Sequence, residues 1–219
     1  MPKKHAPEPK PDCKKCPRLV AFRKENIANH PSFFNGAVQS FGPQDAPFLV
    51  IGLAPGLKGA NRTGRPFTGD FSGDLLFKGL TQMGWSRGKN QNHADDGFEL
   101  KDCRITNAVC CVPPQNKPTA IEINTCRDFL LARIDLMKNL RVMMALGRIA
   151  HETTIRTFGL RQTDYKFGHA KVHLLPNGLY LIDSYHVSRY NVNTGVLTEA
   201  MFLNALGMVK ELLSKTDQV

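Results

Sequence analysis

The sequence predicts an α/β protein, a three-layer α/β/α architecture with a mostly parallel central sheet flanked by helices. Short, continuously apolar runs, FLVIGL at 48–53 and RVMMALG at 141–147, suit strands buried on both faces. Segments with helical apolar spacing stand between such runs, so strand and helix alternate along the chain. The first run ends in a glycine-rich stretch, GLAPGLKGANRTGRPFTGDFSGDLL from Gly52 to Leu76, that leads into a helix. Open α/β sheets place a binding site in that way, at the carboxyl ends of their strands.

Taken in order, Pro17 to Ala28 contains good helix formers, with Leu19, Val20, Phe22 and Ile27 available for one face. An irregular connection from Pro31 to Ala46 precedes the strand Phe48 to Leu53. The glycine-rich stretch holds six glycines, two prolines, three cations and two aspartates, a composition for backbone wrapped closely around a ligand. From Ser72 to Trp85, Leu75, Leu76, Leu80 and Met83 recur at helical spacing, and the polar residues that follow, through Gly97, read as exposed loop. CRITNAVC, Cys103 to Cys110, is the next strand. The loop CVPPQNKPT leads from it to a helix Ala120 to Lys138, with Thr119 placed to cap it. A strand Arg141 to Gly147, a helix Arg148 to Phe158, the strands KVHLL and LYLID, and a terminal helix Leu197 to Leu213 complete the pattern.

At 219 residues the chain suits one α/β core, expected as a single domain over 13–219 behind a basic, flexible tail over 1–12. The tail is proline-rich, at Pro2, Pro7, Pro9 and Pro11, and contributes to a net charge of +10 that argues for a polyanionic partner such as nucleic acid. No apolar run approaches the roughly 18 residues that span a bilayer, so no membrane role is expected. The basic N-terminus lacks an apolar signal region, and the expected location is cytoplasmic.

Six cysteines without an export signal point to metal binding before disulfides. Cys13 and Cys16 form a CxxC pair that grips one metal atom or cluster. Cys111 and Cys126, flanking the loop and helix start after the second strand, are the better candidates for the other pair. Cys103 and Cys110 fall inside the strand, where a free cysteine acts as a small apolar residue. Four thiolates suit either tetrahedral zinc or an iron-sulfur cluster. A second chemical stretch, DSYHVSRYNVNTG at 183–195, follows the last apolar strand. In a parallel sheet it lies at the same edge as the glycine-rich loop, and Arg189 and Tyr190 give it the basic and aromatic character that nucleic-acid contacts use.

CKKCPRLV, GLAPGLKGANRTGRPFTGD, TNAVCCVPPQNKPT, ALGRIA and SYHVSRYNVNTG occur in this order along nearly the whole chain. In these motifs the chain resembles the iron-sulfur uracil-DNA glycosylases, most closely family 5, the B-type branch. Family 4 carries a carboxylate where this chain has Leu53, and HPS where it has HVS. The resemblance implies a 4Fe-4S cluster on Cys13, Cys16, Cys111 and Cys126, and a monomeric enzyme acting on uracil, hypoxanthine or other deaminated bases flipped out of DNA. It implies that His186 hydrogen-bonds the departing base, that Asp70 offsets sugar charge or orients water, and that Asn116 holds that water. Phe67 would stack on the base, backbone around Gly52 and Ala54 would meet its edge, and Asn107 would read it. Ser188, Arg189 and Lys117 would contact phosphates, with Arg189 or Tyr190 as wedge, and Lys58, Arg62 and Arg65 as further phosphate neighbours. Two other classes compete: a non-catalytic iron-sulfur or zinc module that binds nucleic acid, and a phosphate-handling enzyme. The second lacks its motif, since GLKGANRTG has no GK[ST] ending.

Overall fold

The computed structural model describes residues 7–216. Its elements are α1 (Pro17–Asn29), β1 (Phe48–Gly52), α2 (Ala60–Thr63), α3 (Phe71–Gln82), β2 (Ser86–Arg87), β3 (Glu99–Leu100), β4 (Cys103–Asn107), a 3-10 turn (Pro114–Asn116) and α4 (Ala120–Leu136). Then follow β5 (Val142–Leu146), α5 (Arg148–Thr157), β6 (Val172–Leu174), β7 (Tyr180–Ser184), α6 (Arg189–Asn193) and α7 (Glu199–Thr216). Five strands form the central sheet in the order β4-β1-β5-β7-β6. Only β6, on the edge, runs antiparallel. The chain leaves β1 toward β4 and later returns past it to β5, and the crevice at the carboxyl ends of such strands is where this architecture binds ligands.

The period-two alternation of β1 builds both outer layers. Phe48 and Val50 face α3 and α7 through Leu76, Phe77, Leu80, Phe202 and Leu206. Leu49 and Ile51 face α4 and α5 through Leu130, Ile134, Ala150 and Ile155. All four β1 side chains are fully buried, each contributing about 1.5–3 kcal/mol. The three layers expected from the sequence are therefore present, and no helix among the described residues is long and apolar enough to cross a membrane.

Several local expectations change. The strand expected to reach Cys110 ends at Asn107, and Cys110 turns out of the sheet into a third cluster with Leu19, Cys111, Cys126 and Phe129. The helix expected to reach Trp85 stops at Gln82, and the polar stretch after it is tied back by the antiparallel pair β2–β3. The buried face of α1 is Leu19, Arg23 and Asn26, while Ile27 is 51% exposed. The reason is polar: Arg23 Nη2 reaches the carbonyl of Cys13 at 2.8 Å, so α1 turns Arg23 inward beside Leu19 and leaves Ile27 outside.

Part of the segment expected as a flexible tail is held in place. Residues 1–6 lie outside the described residues, but 7–12 are held. The Arg133 guanidinium, 2% exposed, donates to the Pro7 carbonyl at 2.9 Å and pairs with Glu8 at 3.2 Å, and Arg104 pairs with Glu8 at 3.3 Å. A buried cation requires such partners, and composition gives no sign of them.

Candidate active site

Parallel register sets Gly52 beside Asn107 at the carboxyl end of the sheet. A Cβ on Gly52 would lie 2.4 Å from Asn107 Oδ1 and 2.6 Å from Phe67, so only glycine lets the amide and the ring approach each other here. Phe67 takes a left-handed backbone, φ 55°, which is costly for an aromatic residue and keeps its ring over the strand end. Asp70 then caps α3: its Oδ1 accepts from the N–H groups of Ser72 at 3.0 Å and Gly73 at 3.3 Å. Its second oxygen lies over Gly59, where a Cβ would come within 2.2 Å. The aspartate ending the glycine-rich motif is thus a helix cap and a cavity carboxylate at once.

On the other side of β1, β7 delivers the 183–195 stretch. Asn191 Nδ2 donates to the His186 carbonyl at 2.8 Å, and Ser188 caps α6 by accepting from Asn191 N–H. Between these walls lies a cavity of about 340 Å³, lined by Ala54, Phe67, Asp70, Asn107, Asn116, His186 and Ser188. Seven residues singled out from the sequence therefore meet in one place. Gly52 acts from behind them by leaving space, and Leu53, Pro55, Gly56, Ala60 and Ser72 complete the wall.

Two features give the cavity its chemistry. Burial pushes the His186 imidazole below its ordinary range, with the Asp70 carboxylate partly opposing the shift, so the ring is neutral at pH 7 and can donate one hydrogen bond. Asn107 is 4% exposed and its Oδ1 has no hydrogen-bond partner among the described residues. A buried polar atom left unpaired costs about 1–3 kcal/mol, which a ligand N–H would relieve.

Asn116 sits in a turn where Gln115 and Asn116 both take positive φ, 55° and 57°. This strained turn is pinned from α1. Arg18 donates twice to the Glu122 carboxylate, each at 2.8 Å, and once to the Lys117 carbonyl at 3.1 Å. Glu122 is meanwhile the reciprocal partner of the Thr119 cap of α4. The sequence shows the capping box through its Thr-x-x-Glu spacing; Arg18 is 104 residues from Glu122, and no local signal connects them.

Arg65, expected among the phosphate neighbours, is not one. It forms a two-point ion pair with Asp96, at 2.7 and 2.8 Å, with side chains 6% and 0% exposed, and its guanidinium lies 5.0 Å from the Phe41 ring centre. Lys58 and Arg62 remain exposed. Arg189 does not line the cavity; its guanidinium packs over Phe71 at 5.4 Å, while Tyr190 beside it is 73% exposed.

Under α1 a second cavity is lined by Cys13, Cys16, Cys110, Cys111 and Cys126, all free thiols. Burial, then the neighbouring Cys110, push the Cys111 thiol up to about 12, and the Cys110 hydrogen bond and burial raise Cys126 further. Thiols raised in this way at Cys111 and Cys126 lose their protons only when a cation holds the sulfur, which is the donor chemistry of a thiolate metal site. Cys103 stays buried in β4, as expected. Opposite, His151, His173 and Asp183 are joined by hydrogen bonds of 2.6 and 3.0 Å that tie α5 and β6 to β7.

The family profile described as the Uracil DNA glycosylase superfamily matches residues 39–210, from before β1 through most of α7. The chain belongs to this superfamily. Within the uracil-DNA glycosylase superfamily it groups with the type-5 proteins. It is 43% identical over 205 residues to the type-5 uracil-DNA glycosylase of Thermus thermophilus, covering 91% of this chain and 93% of that protein. Against the type-5 uracil-DNA glycosylase of Pyrobaculum aerophilum identity is 37% over 191 residues, 85% of this chain and 83% of that one. A type-4 uracil-DNA glycosylase of the same organism is 32% identical over 151 residues, covering 68% and 63%. In this uracil-DNA glycosylase superfamily member the cavity wall at the first motif carries Leu53 rather than a carboxylate, so Asp70 is the only acidic side chain among its lining residues.

Proposed function

We propose that this chain is a DNA-repair uracil-DNA glycosylase, acting inside the cell as a monomer. It hydrolyses the N-glycosidic bond of uracil flipped out of DNA and leaves an abasic site. The observation that carries this reading is that Asn107, whose buried Oδ1 has no hydrogen-bond partner among the described residues, lines the same cavity as the Phe67 ring and the neutral His186. A flipped uracil supplies a ring to stack on Phe67, an N3–H for the orphaned oxygen and an O2 acceptor for His186. Cytosine presents no N3–H, which gives the amide its selectivity.

Breaking the bond places negative charge on the base and positive, oxocarbenium-like charge on the sugar. His186 hydrogen-bonds the growing charge at O2. Asp70, through the oxygen not committed to the α3 cap, offsets the sugar charge or orients water, and Asn116 holds that water. Backbone at Ala54 meets the base edge. Ser188, Lys117, Lys58 and Arg62 contact phosphates; Arg189 is engaged with Phe71, so exposed Tyr190 is the wedge. Hypoxanthine and other deaminated bases are further substrates, admitted by a pocket wall without a carboxylate at Leu53.

Cys13, Cys16, Cys111 and Cys126 would hold a 4Fe-4S cluster. A tetrahedral zinc with bonds of about 2.3 Å needs sulfurs roughly 3.8 Å apart. Among the described residues, the group of metal-type ligand atoms gathered within 4.8 Å is His151, His173 and Asp183, and the cysteines form no such single-ion group. Hydrolysis needs no electron from such a group; held by these cysteines it would fasten α1, whose Arg18 pins the Asn116 turn. Visible iron-sulfur absorbance with matching iron and sulfide supports this, and a colourless zinc protein would overturn it.

The test of function is incubation with oligonucleotides carrying uracil, hypoxanthine or thymine opposite guanine, followed by alkali. Strand cleavage at uracil supports the enzyme; binding without an abasic product supports the non-catalytic module instead. At the level of single residues, Asn107→Ala should lower kcat/KM on uracil about 10- to 100-fold, the equivalent of about 1–3 kcal/mol, and narrow the preference for uracil over cytosine. Because the active His186 is neutral and its pKa is depressed, single-turnover base release should stay flat from about pH 8 down to about 6.5 and decline only below that. A rate that climbs steadily between about pH 6.5 and 8 would contradict the assignment.

A further inference from the structure

The cavity under α1 gathers five cysteines, one more than a four-thiolate cluster uses. The surplus residue is Cys110, which lies just beyond β4 instead of within it and is 1% exposed. Its thiol is hydrogen-bonded with that of Cys126, one of the four expected ligands, on α4. Arg133 fixes it there: Nη2 donates to Cys110 Sγ at 2.7 Å while Nη1 is committed to Thr106 Oγ1 at 2.9 Å and the Asn107 carbonyl at 3.2 Å. Cys111, the next residue, is a poor partner for Cys110, since a disulfide between adjacent residues closes a strained ring.

We propose that Cys110 is an oxidation site: when the other four cysteines lack iron, peroxide joins Cys110 to Cys126 as a disulfide and withdraws Cys126 from metal binding. The Cys110 sulfur attacks hydrogen peroxide, the O–O bond breaks, and a sulfenic acid forms with release of one water. The Cys126 sulfur then attacks the sulfenic sulfur, the S–O bond breaks, and the departing hydroxide takes the Cys126 thiol proton and leaves as a second water. Two electrons from the sulfur pair reduce one peroxide to two waters. Peroxide is nearly as small as water and enters past Cys13 and Cys16, which are partly exposed. A dithiol reductant reverses the bond. The cost to iron loading rests on the cluster reading above; the disulfide itself does not.

The full chain, stripped of iron by a chelator, is exposed to about one equivalent of hydrogen peroxide, alkylated, digested and mapped by mass spectrometry. The expected result is loss of two titratable thiols and a peptide pair joined through Cys110 and Cys126, both restored by dithiol. Cys110→Ser, which keeps an acceptor for Arg133, and Cys110→Ala should yield no such pair. A wild-type map joined only through other cysteines, or Cys110 recovered as free thiol or as sulfinic acid, overturns the proposal. Iron content before stripping reports separately on the cluster, so either reading can fail alone.

Discussion

Asp70→Ala is expected to slow base release by about 10²- to 10⁴-fold, the range for losing a positioned catalytic carboxylate. The side chain caps α3 as well as lining the cavity, so the alanine result alone is ambiguous. As N-cap of α3 it satisfies two backbone donors, and losing that costs about 1 kcal/mol of stability. Asp70→Asn separates the roles: its amide oxygen can still accept from Ser72 and Gly73, while the charge facing the cavity is gone. Single-turnover excision by Asp70→Asn should be nearly as slow as by the alanine variant, with urea unfolding close to wild type. A near wild-type rate for the asparagine variant would leave catalysis to His186 and Asn116 and reduce Asp70 to its capping role.

The largest stability effect is expected at Asp96. Replacing it with alanine leaves the Arg65 charge buried among the rings of Phe41, Phe77 and Phe98 without its partner, and should cost about 3–5 kcal/mol in urea unfolding. Replacing both residues with apolar ones of similar volume should restore much of that, since the loss comes from the orphaned cation. The Arg65 hydrogen bonds hold the Asp96 carboxyl well below the usual carboxylate range. Its contribution is therefore complete above about pH 3.9 and is lost only as pH falls below that toward the depressed value. Arg65 stands two residues before Phe67, so Asp96→Ala should also raise KM by loosening the left-handed Phe67 backbone. Unchanged urea unfolding in that variant would show that the pair adds nothing to stability.

Arg65 also illustrates what a sequence withholds. In the linear chain it sits with Lys58 and Arg62 in a glycine-rich loop, indistinguishable as a cation. What turns it inward is Asp96, in a polar stretch that reads as exposed loop. The same holds for Arg18 with Glu122, Arg133 with Glu8, and Arg23 with the Cys13 carbonyl: each pairing joins segments with no local pattern linking them. Pro7 and Glu8 are held for that reason, and composition alone does not reveal their partners. Cys110 falls outside the expected strand because a short apolar run does not declare its last paired residue; register with β1 ends at Gly52 and Asn107.

The layers and the location of the site are legible in the linear chain. Continuous apolar runs suit buried strands, the helices between them favour parallel pairing, and parallel strands bring Asn107, His186 and the glycine-rich loop to one edge. That Asp70, Asn116 and His186 belong to that site is legible too, because motif order and residue type are local properties, and the three line one cavity. Folding alone settles which charges face solvent, that Cys110 lies beside the expected four cysteines and how the Asn116 turn is held. Those outcomes depend on desolvation and on partners far apart in sequence, and an ionic or thiol side chain carries no local mark of either.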